Sequence, residues 1–296
     1  LRIAGILLAL GVNSPFFPPD LYDDVDPYSI LEDGWAEHRI DVFESVLNVP
    51  GRKGKVRFPE DVDSVEEAIR AIAEDDVLAP MGVEHAGRFD DAFAHFRLKH
   101  GTFWRWVRPV FDGQSRTNAN ARIEFRPIPA QPTVRDSVAF QAVFAGLLEQ
   151  MRQYEHPLYD LPWETAKANF YGAVKDGLDA DLTYITADGE ETTDRHRIFA
   201  DVFEQAQAGL RRRGLSGNTA STYLRPLRRR ARNGVTPAAW KRNRVRAYLD
   251  DGQEFEEAVH EMQRSYFDNQ RRTLLEGTFS DWYEHELPRF RGSGRL

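Results

Sequence analysis

Apolar positions along the chain follow two different periods, separated by stretches rich in turn-forming residues. From Leu1 to Val12 every position except Arg2 is apolar or glycine. A run of that kind suits a helix buried on all sides, and it is too short to cross a bilayer. Read as a signal peptide it lacks both a basic leader and a small-residue cleavage site. It is expected to be the end of a buried helix whose start is missing, so that the chain is the C-terminal part of a longer protein. Asn13-Ser14-Pro15-Phe16-Phe17-Pro18-Pro19-Asp20 then reads as a loop. Asp20 to Asp33, acidic and tyrosine-containing, is expected to be irregular, and Gly51 to Gly54 a basic turn. Ser64-Val65-Glu66-Glu67 has the form of a capping box ahead of an apolar-periodic run through Ile72. Asp90 to His100 puts Phe93 and Phe96 on helical spacing.

The texture then changes. Thr102–Val110 and Ala121–Ile128 are rich in aromatic and β-branched residues and flank the polar segment Phe111–Asn120, which contains Gly113. The pattern predicts two antiparallel strands joined by a loop. Pro132-Thr133 introduces a helix from Val134 to Gln153, with Val138, Ala142, Ala145 and Leu148 at helical spacing. Further helices are expected at Trp163–Lys175, Arg195–Arg213, Ala220–Arg232, Pro237–Asp250 and Glu254–Leu275. A short strand at Leu182–Ile185 should end at the Asp188-Gly189 turn. Pro237 follows Thr236 as an N1 proline follows an N-cap. After Leu287 the chain is rich in Pro, Gly and Arg and is expected to fray.

Composition narrows the class. The chain has 296 residues, a net charge of −8 and no cysteine. One or two domains are expected. Disulfides, thiolate metal sites and a cysteine nucleophile are excluded, which fits a cytoplasmic protein. A negative mean field disfavours general nucleic-acid binding. Basic residues number 39, and six of them are lysine; an acidic, arginine-rich and lysine-poor chain suits a halophile.

Candidate chemistry concentrates in the predicted strands. Side chains alternate between the faces of a strand, so Trp104, Trp106 and Arg108 would share one face and Arg122, Glu124 and Arg126 another. Unpaired charges on a buried face are very costly. Such a face therefore either carries an internal ion-pair ladder toward solvent or holds a charged ligand. In the second case the carboxylate could take Mg²⁺ and the arginine forks phosphoryl or carboxylate oxygens. The histidines are scattered; His95 and His100 are spaced wrongly for a helical zinc pair. No Walker A or Rossmann glycine pattern is present. Arg211-Arg212-Arg213, Arg228-Arg229-Arg230 with Arg232, and Lys241, Arg242, Arg244 and Arg246 form basic patches on expected helices. They read as solvated helix faces or as a phosphate- or partner-binding surface.

Four stretches, in order, resemble one family. These are Leu7-Leu8-Ala9-Leu10 with Asn13-Ser14-Pro15-Phe16, Gly101-Thr102-Phe103-Trp104-Arg105-Trp106-Val107-Arg108-Pro109, Arg122-Ile123-Glu124-Phe125-Arg126-Pro127, and Trp163 to Ala180 with Asn169 and Gly177-Leu178-Asp179-Ala180. Together they resemble the glutamate–cysteine ligase type 2 family, which includes bacterial carboxylate–amine ligases, and the texture is similar to its haloarchaeal branch. The resemblance runs from Leu1 to about Gly214.

The resemblance implies an α+β fold: part of a glutamine-synthetase-like catalytic core, an antiparallel sheet packed by helices, followed by a mostly helical C-terminal region. On that division 1–190 belong to the core, 191–287 to the helical region and 288–296 to a flexible tail. It also implies an ATP- and Mg²⁺-dependent ligase that joins the γ-carboxylate of glutamate to an amine, cysteine by family default, through an acyl phosphate. Glu124 would be a metal ligand, Arg126 would contact phosphate, and Arg108 a phosphate or a substrate carboxylate. Trp106, Arg122 and Asn13 would belong to the pocket. The partners implied are small molecules, with no membrane and no nucleic acid, and a homo-oligomer stays open. Two features depart from the family. Its early paired glutamates and histidine-containing metal strand are absent, so this chain alone would lack part of the site. The loop Phe17–Asp24 replaces a tryptophan-, glycine- and arginine-containing one, which leaves the amine unassigned. A non-catalytic nucleotide-binding relative is the alternative.

Overall fold

The computed structural model describes residues 1–46, 54–78, 82, 94–112 and 120–283. The expected turn at Gly51–Gly54 apart from Gly54, the expected helical residue Phe93, Gly113 and the C-terminal tail therefore lie outside the described residues. The chain forms two compact units. One comprises Leu1 with Arg39–Pro127, the other Arg2–His38 with Ile128–Leu296. The architecture is α+β, with helices predominating and two small antiparallel hairpins among the described residues. None of the described helices is long and apolar enough to cross a membrane.

The larger unit begins with α1 (Ala4–Gly11), and all eight of its residues are buried. A helix with no polar face has to be covered all round. One cover is α7 (Trp163–Asp176), which approaches so closely that a Cβ on Gly5 would lie 2.5 Å from the carbonyl carbon of Asn169. Asn169 itself reaches the backbone of Thr183, donating from Nδ2 to its carbonyl at 2.7 Å and accepting from its N–H at 2.9 Å.

The segment expected to be irregular contains α2 (Pro27–Asp33). Asp26 caps it by accepting from Ser29 N–H at 2.8 Å, and Pro27 occupies the first helical turn. The acidic run hid a regular N-cap signal. The next helix, α3 (His38–Val46), had no counterpart in the sequence reading and carries the chain from the larger unit into the smaller.

In the smaller unit, α4 (Val65–Glu74) is capped by Ser64, which accepts from Glu67 N–H at 3.1 Å. The Glu67 carboxylate returns to Asp63 N–H at 2.9 Å, one residue before the reciprocal bond of a capping box. Then come α5 (Ala94–Gly101) and the hairpin of β1 (Val107–Asp112) and β2 (Asn120–Phe125), where Arg108 pairs with Glu124 and Val110 with Arg122. The first strand starts five residues later than expected. Residues 103–106 instead follow a bend, with Arg105 bridging to Arg57 and Trp106 N–H donating to Arg57 C=O at 3.2 Å. Trp104 and Trp106 therefore do not extend the face of Arg108 by strand alternation.

Back in the larger unit, α6 (Val134–Met151) and α8 (Arg195–Arg212) pack in close contact. A Cβ on Gly209 would sit 1.9 Å from the carbonyl oxygen of Gly146, so only glycine allows this approach. The short hairpin of β3 (Tyr184–Ile185) and β4 (Glu191–Thr192) turns at Gly189, whose φ is 82°. It lies within and beyond the single strand expected there. Next comes α9 (Gly217–Asn233), capped by Ser216 and ended by the left-handed Gly234. It is followed by α10 (Pro237–Asp250), capped by Thr236 as the sequence predicts, and α11 (Phe255–Thr273). Trp240, Tyr266, Phe279 and Trp282 form an aromatic core in which Tyr266 and Trp282 stand edge to face at 5.0 Å.

Candidate functional site

The hairpin in the smaller unit gathers four of the expected site residues. Arg108 Nε donates to Glu124 Oε2 at 2.5 Å. Its Nη1 donates to the backbone carbonyls of His100 at 2.9 Å and Phe103 at 2.7 Å. Arg108 is thus tied into the turn below the sheet, with only Nη2 left without a partner among the described residues. Arg126 approaches from the other side, its Nε 3.8 Å from Glu124 Oε1. Glu124 therefore sits between two guanidinium groups, one toward each oxygen. Further along the same face Arg122 pairs with Asp112 at 3.1 Å, with both side chains more than half exposed. The face carries the ion-pair ladder that the sequence left as one of two readings. It also leaves Glu124 and Arg126 open to solvent, at 38% and 39% of full side-chain exposure.

Trp106 is buried in the same unit. Its indole Nε1 donates to Glu44 Oε1 at 2.7 Å, and the Arg39 guanidinium lies over the ring at 5.1 Å. Arg39 also donates to Pro127 C=O at 2.5 Å, just past the second strand. Both partners stand on α3, which the sequence gave no periodic signal to find. His100 stacks on Phe96 and bonds Pro109 C=O through Nε2 at 3.2 Å. Burial, helped by the charge of Arg108, holds its pKa below the usual histidine range.

Behind the hairpin lies a charge cluster built around Arg105, which is 1% exposed. Arg105 donates to Glu60 through Nε and Nη2, to Asp75 Oδ1 at 2.8 Å and to Lys55 C=O at 2.8 Å. Lys55 pairs with Asp75, and Arg57 with Glu60. Burial alone would raise the Glu60 pKa, but the hydrogen bonds and charge of Arg105, with Arg57 beside it, hold it down at about 2. Arg105 lies 30 to 50 residues from these partners in sequence, so no local motif announced the cluster.

Asn13, the sixth expected site residue, belongs to the larger unit. Its N–H donates to Glu37 Oε2 at 2.9 Å, and its Nδ2 to Ala130 C=O at 2.9 Å and Tyr266 OH at 3.0 Å. Its Oδ1 is buried without a hydrogen bond among the described residues. Lys241 donates to Asn13 C=O at 2.8 Å and lies 4.4 Å from the centre of the Tyr266 ring. Burial depresses the Lys241 pKa to about 8, against the opposing pull of Glu37.

The basic patches divide. Arg230 is fully buried, not solvated. It donates to Leu10 C=O at 2.8 Å, Gln131 Oε1 at 2.7 Å and Asp136 Oδ1 at 3.0 Å. Asp136 also accepts from Thr133 Oγ1 at 2.6 Å and Phe279 N–H at 2.9 Å. The pair joins α1, α6, α9 and the segment after α11 through the hydrogen bonds of Nη1 and Nη2, while Arg230 Nε is buried without a partner among the described residues. Helical spacing in the sequence put Arg230 on a basic stripe, and only the tertiary position of Asp136 pulls it inside.

Among the described residues no group of three His, Cys, Asp or Glu side chains is placed to hold a metal ion. Mg²⁺ commonly takes one or two carboxylates and completes its shell with water and substrate phosphates. Glu124, a half-exposed carboxylate whose Oε1 is beyond hydrogen-bond distance of Arg126, fits one such ligand, and Arg126 fits a phosphate oxygen beside it.

A family model described as glutamate-cysteine ligase family 2 matches residues 1–268. The match reaches well past Gly214, into α11. No curated protein and no solved structure matches the chain.

Proposed function

Because the chain belongs to glutamate-cysteine ligase family 2, we propose that it serves amide formation between the γ-carboxylate of glutamate and an amine, with cysteine the default acceptor and ATP the phosphoryl donor. Membership makes it a ligase of the carboxylate–amine class. The finer reading includes a glutamine-synthetase-like core, and it rests on one observation: an exposed carboxylate held between two arginines on one hairpin face.

The chemistry sets the demands. A glutamate oxygen attacks the γ-phosphorus of ATP and ADP leaves, giving an acyl phosphate. The amine then attacks the acyl carbon, loses a proton, and inorganic phosphate departs as the amide forms. Each step gathers negative charge on phosphoryl oxygens, and fixed cations stabilise that charge best when already in place. Arg126, half-exposed, takes those oxygens. Arg108, with most of its donors committed to backbone and to Glu124, is a positioning residue that fixes the carboxylate. Glu124 would hold Mg²⁺ through Oε1, and the metal would supply charge neutralisation at the phosphates. Trp106, clamped by Arg39 and Glu44, makes a rigid wall. Arg122 is turned to Asp112 and guides anions only at longer range.

A second reading follows from the ladder itself. If the two arginines serve only to neutralise Glu124, the protein is a nucleotide-binding relative without turnover. ADP release measured in the intact protein with Mg-ATP, glutamate and a panel of amines separates the two. Release that requires both glutamate and an amine supports the ligase. Nucleotide binding with no release under any amine supports the relative.

A further inference from the structure

The larger unit holds a cavity of about 430 Å³ between the first half of α8 and the last turns of α9, outside the ligase reading above. That volume is in the range of small-molecule sites. Its floor is apolar, made by Phe199 and Phe203, which are 3% and 4% exposed. Its rim is basic, carrying Arg195, Arg228 and Arg232, with His196 beside them. Glu204 is the one carboxylate in the lining.

The arginines are under-compensated. Arg228 is half-buried over the Phe203 ring, 5.7 Å from its centre. It spends Nη2 on Phe203 C=O and Gln207 Oε1, at 3.3 and 2.7 Å. Nε and Nη1 have no partner among the described residues, and no ion pair offsets the charge. Burial alone accordingly lowers its pKa. Arg232 is exposed and makes no ion pair among the described residues. Among the described residues Arg195 has only a distant ion-pair partner, Asp179 at 3.8 Å, which is 91% exposed. Structural arginines elsewhere in this chain are different: Arg105 and Arg230 each meet a carboxylate in the interior. A half-buried cation without a carboxylate, set on an aromatic floor, is completed by an anion that brings a flat apolar body.

We infer that the groove between α8 and α9 binds a small aryl or heteroaryl phosphate, the ring lying on Phe199 and Phe203 and the phosphate reaching Arg228 and Arg232.

Titration calorimetry of the intact protein with phenyl phosphate, inorganic phosphate and phenol tests this. Saturable one-to-one binding of phenyl phosphate is expected, with each half-ligand weaker by about tenfold or more. The double variant R228Q/R232Q should weaken phenyl phosphate by at least about tenfold, while R211Q on the exposed side of α8 and R126Q on the hairpin leave it unchanged. Arg232→Gln alone, at an exposed position without an ion pair, keeps the test available if the double variant does not fold. No saturable binding, equal binding of inorganic phosphate and phenyl phosphate, or binding lost in R126Q but kept in the groove variants overturns the proposal.

Discussion

Arg108 and Glu124 face each other at paired positions of one hairpin, and Arg108 Nε lies 2.5 Å from Glu124 Oε2. The arginine is in turn fastened to two backbone carbonyls. One oxygen of the carboxylate is thereby fixed while the other stands 3.8 Å from Arg126 Nε, beyond hydrogen-bond distance, as a pre-set ligand for a cation would.

Glu124→Gln is expected to remove turnover while leaving the fold, because the change is isosteric and the side chain is half-exposed. Arg126→Gln should lower kcat by roughly 10²–10³-fold, the usual cost of one lost charge-stabilising contact. Arg122→Gln should stay within severalfold of wild type. Steady-state ADP release with circular dichroism as a folding control decides it; wild-type-like activity in Glu124→Gln would sink the assignment.

Arg230→Met should destabilise the larger unit by about 3–5 kcal/mol, since it strands Asp136 in the interior. Replacing both partners, Arg230→Met with Asp136→Leu, should recover part of that loss. Urea denaturation of the single and double variants measures it. A single-variant cost under about 1 kcal/mol would mean that the pair is not buried as described.

Lys241 predicts a pH dependence. Its native pKa of about 8 lies below that of an unfolded lysine, so between these values the unfolded chain binds the extra proton. Stability therefore rises as pH climbs from about 8 toward 10, by on the order of 3 kcal/mol. Above that, tyrosines raised by burial, such as Tyr266 and Tyr283, reverse the trend as the unfolded state loses their protons first. In Lys241→Met the rise between pH 8 and 10 should vanish. An identical profile in the variant removes Lys241 as its source.

Gly146→Ala should cost about 1–3 kcal/mol, because the new methyl would meet Ala206 C=O at 2.2 Å. Gly217→Ala, with nothing within 4 Å of its Cβ, is the control and should be neutral or slightly stabilising. Melting temperatures of the two variants make the comparison; equal shifts would contradict the close helix contact.

What the sequence disclosed depended on how local the signal was. Capping by Ser64, Thr133 and Thr236 is written within four residues, and those helices begin where the pattern put them. The strand pair was visible in its β-branched and aromatic residues, and an ion-pair ladder was one of two readings of its charged face; the register that sets Arg108 opposite Glu124 was not. By contrast α2 was hidden because an acidic, proline-bearing stretch looks like a loop, although Asp26-Pro27 is an N-cap signal. Arg230 looked like a surface charge because its carboxylate partner is 94 residues away. Asn13 was expected in the pocket with the hairpin residues; its observed contacts are with Glu37, Ala130, Tyr266 and Lys241. Burial in such cases is a property of the assembled chain, and residue type alone does not carry it.

The burial of α1 has a consequence for how the protein is made. Its eight buried residues leave the ribosome well before α7, which covers Gly5 and begins at Trp163, roughly 150 residues later. At the usual pace of translation that is a wait of about 8–30 s. During it this wholly apolar helix lacks the face of α7 that covers it and is exposed to chaperones or to self-association. Slowing translation between Val12 and Trp163 should lengthen that exposure and raise the fraction lost to aggregates, without altering a single contact of the finished molecule.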